Sequence, residues 1–196
     1  MATRSYGSIR IVAEARREPL IPSAVMGMLI FVFLEAMMFA GLISAFAIIR
    51  SGAAIWPPPG QPRLPIEETA VNTAALLLSG VLLFLAHRRF QTDRASAQQP
   101  LIFSILLGVF FVVFQGVEWV ALIRQGLTLT SSSLGSFFYL IVGMHALHAV
   151  IALGLLGYTL VRLRRGWLAQ SQLAVAEVFW YFVVGLWPIL YGVVYL

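Results

Sequence analysis

An all-α membrane bundle of five transmembrane helices is the fold class this sequence predicts, on three observations. Hydrophobic residues make up 60% of the chain and charged residues 11%, a balance that a water-soluble surface cannot accommodate without large exposed apolar patches. Five continuous apolar runs reach the ~20 helical residues needed to cross a hydrocarbon core. All 13 basic residues are arginine, and they fall in the gaps between or at the ends of those runs. The mean hydropathy of +0.90 agrees.

The runs cover residues 23–49, 69–86, 101–123, 134–161 and 172–195. Each is apolar throughout and lacks the period-two alternation of a barrel strand, so helices are expected. Ahead of them, residues 1–22 carry Glu14, Glu18 and Pro19 with no apolar core. They read as a cytoplasmic tail and not as a signal peptide, so the first span is retained and residues 23–196 form one five-helix transmembrane domain.

Orientation follows from the arginines. Arg4, Arg10, Arg16 and Arg17 precede span one, Arg88, Arg89 and Arg94 follow span two, and Arg162, Arg164 and Arg165 follow span four. Arg50, Arg63 and Arg124 occupy the opposite connections. The excess places the N-terminus in the cytoplasm and, with five spans, the C-terminus outside. In a soluble protein this basic balance would suggest nucleic acid; here it reads as topology, with no nucleic-acid partner. Cysteine is absent, which excludes disulfides, thiol nucleophiles and cysteine-ligated metal centres.

The connection between spans one and two contains Trp56-Pro57-Pro58-Pro59-Gly60, followed by Pro62 and Pro65 and by Glu67-Glu68-Thr69. Successive prolines favour a polyproline II backbone, Gly60 permits a sharp turn, and Trp56 suits the headgroup layer. The segment reads either as a stiff interfacial loop or as a docking surface. Thr69 is placed to cap the second helix, with Glu67 and Glu68 near its positive end. Small residues recur at Ala36, Ala40 and Ser44, at Ser104 and Gly108, and at Gly154 and Gly157. Most are expected inside the bundle, where they let helices approach closely, and a minority against a second subunit.

Four ionisable residues sit within the apolar runs: Glu35, Glu118, His145 and His148. Each costs roughly 2.5 to 3.5 kcal/mol on insertion scales, so a protein interior, cavity or partner is expected around it. Glu35 lies 14 residues before Ile49, and His148 14 residues after Leu134; both references mark outer helix ends, so the two side chains belong at similar depth. His145 and His148, three apart, share a helix face. Glu118, five residues before Ile123, belongs nearer the outside. Glu177 and His87 fall at the inner boundary, where snorkelling or a helix end can satisfy them. No repeated Glu-x-x-His pattern supports a di-iron centre, and two histidines on one face do not bracket a haem, so no metal or cofactor is expected on this chain. An independent ion transporter is the reading from another class, but the polar set occupies only the middle and outer half of the membrane.

The segment Phe33-Leu34-Glu35-Ala36-Met37-Met38-Phe39-Ala40-Gly41 resembles a helix motif of the subunit III family of haem-copper terminal oxidases. Four further pieces follow in the family's order: Trp56-Pro57-Pro58-Pro59-Gly60 with Leu64-Pro65; Asn72-Thr73 with Ser79-Gly80; Gln115-Gly116-Val117-Glu118-Trp119; and Gly143-Met144-His145-Ala146-Leu147-His148 with Gly154. The last helix departs from the pattern, because Tyr181 and Val184 occupy the positions of the family's His and Asp. Longer members have seven spans; this chain is similar to the five-span bacterial form, which implies a bacterial cytoplasmic membrane.

The resemblance implies a non-catalytic subunit of a respiratory complex that reduces oxygen to water while pumping protons. Haems and copper would belong to subunits I and II, its partners, and structural phospholipids would occupy a cleft. A larger respiratory supercomplex is left open. Glu35 corresponds to the family's buried reactive carboxylate, Glu118 to a second helix carboxylate, and His145 with His148 to a polar pair facing the bundle. The resemblance also admits an alternative, an accessory membrane subunit of a nitric oxide reductase.

Overall fold

A computed structural model describes residues 21–196, and the reading of residues 1–20 as a cytoplasmic tail lies outside the described residues. Five long apolar helices alternate in direction: α1 (Ser23–Gly52), α2 (Ile66–Thr92), α3 (Gln98–Arg124), α4 (Ser133–Arg164) and α5 (Gln170–Leu190). α5 continues into one π turn over Tyr191–Tyr195. Each helix overlaps an expected span and most extend beyond it by a few residues, because the polar flanking residues still satisfy the backbone helically where they leave the apolar zone.

The ends have identifiable causes. The Ser132 side chain caps α4 by accepting from the Gly135 N–H at 3.1 Å. α3 and α4 stop in the same way: the N–H groups of Gly126 and Gly166 reach back to Ile123 and Leu163, each at 3.0 Å, and those of Leu127 and Trp167 to Leu122 and Arg162, also at 3.0 Å. This 5→2 and 6→1 pattern needs a left-handed residue, and φ is +94° at Gly126 and +74° at Gly166. Pro188 lies inside α5, where it cannot donate to the preceding turn. The π turn that follows carries Tyr195 into the interior, 6% exposed.

α5 is the central element, packed against α1, α2 and α4. Of its apolar stretch 56% is buried, against 11% for α1, so α1 is peripheral. Two tryptophans of α5 reach across the bundle. Trp180 Nε1 donates to Ser79 Oγ at 3.0 Å, while Ser104 Oγ donates to the Ser79 carbonyl at 2.8 Å. Trp187 Nε1 donates to Thr73 Oγ1 at 2.8 Å. These rungs tie α2, α3 and α5 together with indoles that are 0% exposed, where an unpaired N–H would be costly.

Three expectations need correction. Thr69 does not cap α2: the helix starts at Ile66 after Pro65, and the Thr69 hydroxyl lies 2.6 Å from the Pro65 carbonyl one turn back. Ala36, Ala40 and Ser44 face away from the bundle, because α1 is oriented by Phe39 and Phe46, both 0% exposed. Gly154 and Gly157 likewise have no neighbour at the Cβ position. Ser104 and Gly108 are internal as expected, and a Cβ on Gly108 would stand 2.6 Å from the Trp180 ring.

Candidate functional site

Glu35 sits near the middle of α1 and projects toward α4, where its Oε2 lies 3.1 Å from His148 Nε2. The other ring nitrogen of His148, Nδ1, is 2.7 Å from the Met144 carbonyl one turn back. A carbonyl can only accept, so Nδ1 carries a proton. The Nε2–Oε2 contact then requires one further proton, held by either the imidazole or the carboxyl. The arrangement is therefore a hydrogen bond with a single shared proton between two helices. Phe39, Phe179 and Phe182 surround the His148 ring at centroid distances of 5.5, 5.9 and 6.3 Å, all edge-on. The His148 side chain is 8% exposed and that of Glu35 20%, so the carboxyl is the member of the pair that reaches the surface of the bundle.

His145 shares the face of His148 and also touches Phe39, at 6.5 Å. It makes no contact with Glu35 of the kind His148 makes. Its ring leans on Trp187 at 5.0 Å, and among the described residues neither of its nitrogens has a hydrogen-bond partner. Glu118 belongs to a separate cluster nearer the proline-loop end. Gln115 Nε2 donates to Glu118 Oε2 at 2.8 Å and to the Tyr195 hydroxyl at 3.1 Å, and the Thr69 hydroxyl is 3.2 Å from both Glu118 oxygens. Asn72 Nδ2 donates to the Phe111 carbonyl nearby in the same α2–α3 interface at 3.2 Å. The four residues singled out in the sequence thus divide into one Glu–His bond, one enclosed imidazole and one carboxyl network.

At the opposite, arginine-rich end, His87 and Glu177 satisfy each other and not through a helix end. His87 Nδ1 is 2.9 and 2.8 Å from the two Glu177 oxygens, and its Nε2 is 2.7 Å from Gln91 Nε2. The two partners are 90 residues apart, and only the count of residues from helix ends could have matched their depths. Among the described residues, no three His, Asp or Glu side chains come together as a metal centre would need.

The proline loop packs back onto the bundle. Trp56 meets Phe46 edge-on at 5.6 Å, the Trp56–Pro57 bond is cis, and Gly60 turns with φ +79°. Ser131 in the neighbouring connection donates to Gln61 Oε1 at 3.2 Å, which joins the two loops at this end. Pro58 and Pro59 complete the turn, where the Gln61 N–H returns to the Pro58 carbonyl at 3.2 Å.

Residues 18–196 match the family model described as cytochrome c oxidase subunit III. Cytochrome c oxidase subunit 3 of Oryctolagus cuniculus is 32% identical over 179 residues, covering 86% of this chain and 67% of the relative. Those of Drosophila yakuba, 31% over 180 residues, and Struthio camelus, 32% over 179, are similar over the same shares.

Proposed function

The chain belongs to the cytochrome c oxidase subunit III family, and on that premise we propose that it is a non-catalytic subunit that keeps a respiratory oxidase core active through repeated turnover. The core reduces oxygen to water and pumps protons, with haems and copper on subunits I and II. This chain contributes a membrane scaffold that seats subunit I, lines a phospholipid-filled cleft and sustains proton uptake. Its arginine-rich end lies in the cytoplasm of a bacterium, with the proline loop outside, as the arginine bias favours.

The observation that carries this reading is the Glu35–His148 bond at 3.1 Å. An ionisable pair in mid-membrane is retained against a cost, and here the pair lies on the most peripheral helix, with the carboxyl reaching the surface. That position suits a cleft wall, where the pair fixes α1 against α4 and presents one polar group to lipid or water in the cleft. All three relatives named above are oxidase subunits by name, which favours the oxidase over a nitric oxide reductase or an independent transporter.

The test compares the purified oxidase with and without this chain. Initial oxygen consumption is expected to be nearly equal, while the number of turnovers completed before inactivation falls several-fold when the chain is removed. Equal lifetimes would remove the proposed role.

A further inference from the structure

We propose that Glu118 is a proton-binding site: its carboxyl stays un-ionised and donates a proton from Oε1 to the Thr69 hydroxyl, which ties α3 to α2 at the proline-loop end of the bundle. The assignment follows from the hydrogens available around one ring of side chains. Thr69 has a single hydroxyl hydrogen, and its Oγ1 lies 2.6 Å from the Pro65 carbonyl. A carbonyl can only accept, so at that distance the hydrogen is committed to Pro65. Both Glu118 oxygens nevertheless stand 3.2 Å from Thr69 Oγ1, and the hydrogen for that contact has to come from the carboxyl.

The other side of the ring decides which oxygen carries it. Gln115 Nε2 points one hydrogen at Glu118 Oε2, 2.8 Å away, and the other at the Tyr195 hydroxyl, 3.1 Å away. Oε2 is therefore the accepting oxygen, and the proton sits on Oε1. The same amide joins the acid to the π turn, so the ring holds α2, α3 and the end of α5 together.

The surroundings oppose the charged form. Glu118 is 7% exposed, Gln115 2% and Thr69 0%, and an ionised carboxyl so enclosed would need a cation or several donors. Among the described residues the only acid–base pairs are His87 with Glu177 and His148 with Glu35, so no cation is bonded to Glu118. The Gln115 amide supplies it with one donor. The titratable groups that face it are Glu68 on α2, Tyr195 on the π turn and, beyond Tyr195, Tyr139 on α4; none of them is a cation. The Glu35–His148 pair shares no residue with this ring, so the site does not depend on the role proposed for that pair.

The experiment compares the infrared absorption of the intact oxidase complex at neutral pH with that of a Glu118→Gln complex. The variant is expected to lose one carbonyl band in the region of un-ionised carboxylic acids and no carboxylate band. The amide in Glu118→Gln can donate to Thr69 and accept from Gln115, so the variant is expected to assemble and to unfold in detergent at the wild-type midpoint. Thr69→Val removes the acceptor, and the acid band is expected to shift to the higher frequency of a carboxylic acid without one. Loss of a carboxylate band in Glu118→Gln, a lowered midpoint or failure of that variant to assemble would overturn the proton site. An acid band that stays in place in Thr69→Val would overturn Thr69 as its partner.

Discussion

Trp180→Ala is expected to lower the stability of the assembled subunit by about 3–5 kcal/mol, the range for deleting a buried indole. Trp180 is 0% exposed, its Nε1 donates to Ser79 at 3.0 Å, and its ring fills the space left open by Gly108. In lipid the helices gain little from excluding water, so close packing and interhelical bonds supply most of the association energy. The variant removes both at one point and leaves the Ser79 hydroxyl with one bond fewer. The midpoint of detergent unfolding reads the loss. Gly108→Ala strikes the same contact from the opposite side, because its Cβ would stand 2.6 Å from Trp180 and 2.7 Å from Leu153. The two changes are neighbours and therefore not additive: combined with Trp180→Ala, the added methyl is expected to cost less than it does alone. A midpoint unmoved by Trp180→Ala would mean that α5 is not the central packing element.

Glu35→Ala should affect function more than assembly. The substitution strips the partner from His148 Nε2, whose side chain is 8% exposed, and interhelical bonds of this kind contribute ~0.6 to 1.7 kcal/mol in a membrane. That is too little to unfold five helices but enough to loosen α1, which has the least buried surface. The haem spectrum and initial rate of the complex are expected to match wild type, while the number of turnovers before inactivation falls several-fold. Glu35→Gln separates hydrogen bonding from charge: its amide can still donate to Nε2, so if the bond alone matters the lifetime returns. A Glu35→Ala complex as durable as wild type would leave the pair a packing feature.

The five spans were legible because a membrane imposes length and polarity limits that any apolar run reveals. Depth was legible too. Counting residues from the helix ends put Glu35 level with His148, and the two meet. What residue counting cannot supply is rotation about the helix axis. A lipid-facing residue and a core residue are equally apolar, so helices of this kind lack the amphipathic stripe that orients a helix in a soluble protein. Ala36, Ala40 and Ser44 look like an internal stripe for that reason, and only the seating of Phe39 and Phe46 turns them outward. The same gap hid the pairing of Trp180 with Ser79 and Trp187 with Thr73, since an indole at that spacing also suits the interface. Thr69 resembled a cap because three preceding residues were read as loop; once the helix starts at Ile66, Thr69 becomes a rung to Glu118. Gln115 and Glu118 lie three apart on α3, a spacing that puts them on one face, and the Gln115 amide donates to the Glu118 carboxyl. Tyr195, drawn inward by the π turn after Pro188, had no local signal.

The central claim is that this chain serves a haem-copper oxidase. Its most direct test is purification of the tagged chain from mild detergent, with mass spectrometry of its partners and a reduced-minus-oxidised absorbance spectrum. The account predicts a large haem- and copper-bearing subunit in stoichiometric amount. A core of haem and non-haem iron without copper, or a chain that emerges alone and colourless, would contradict it.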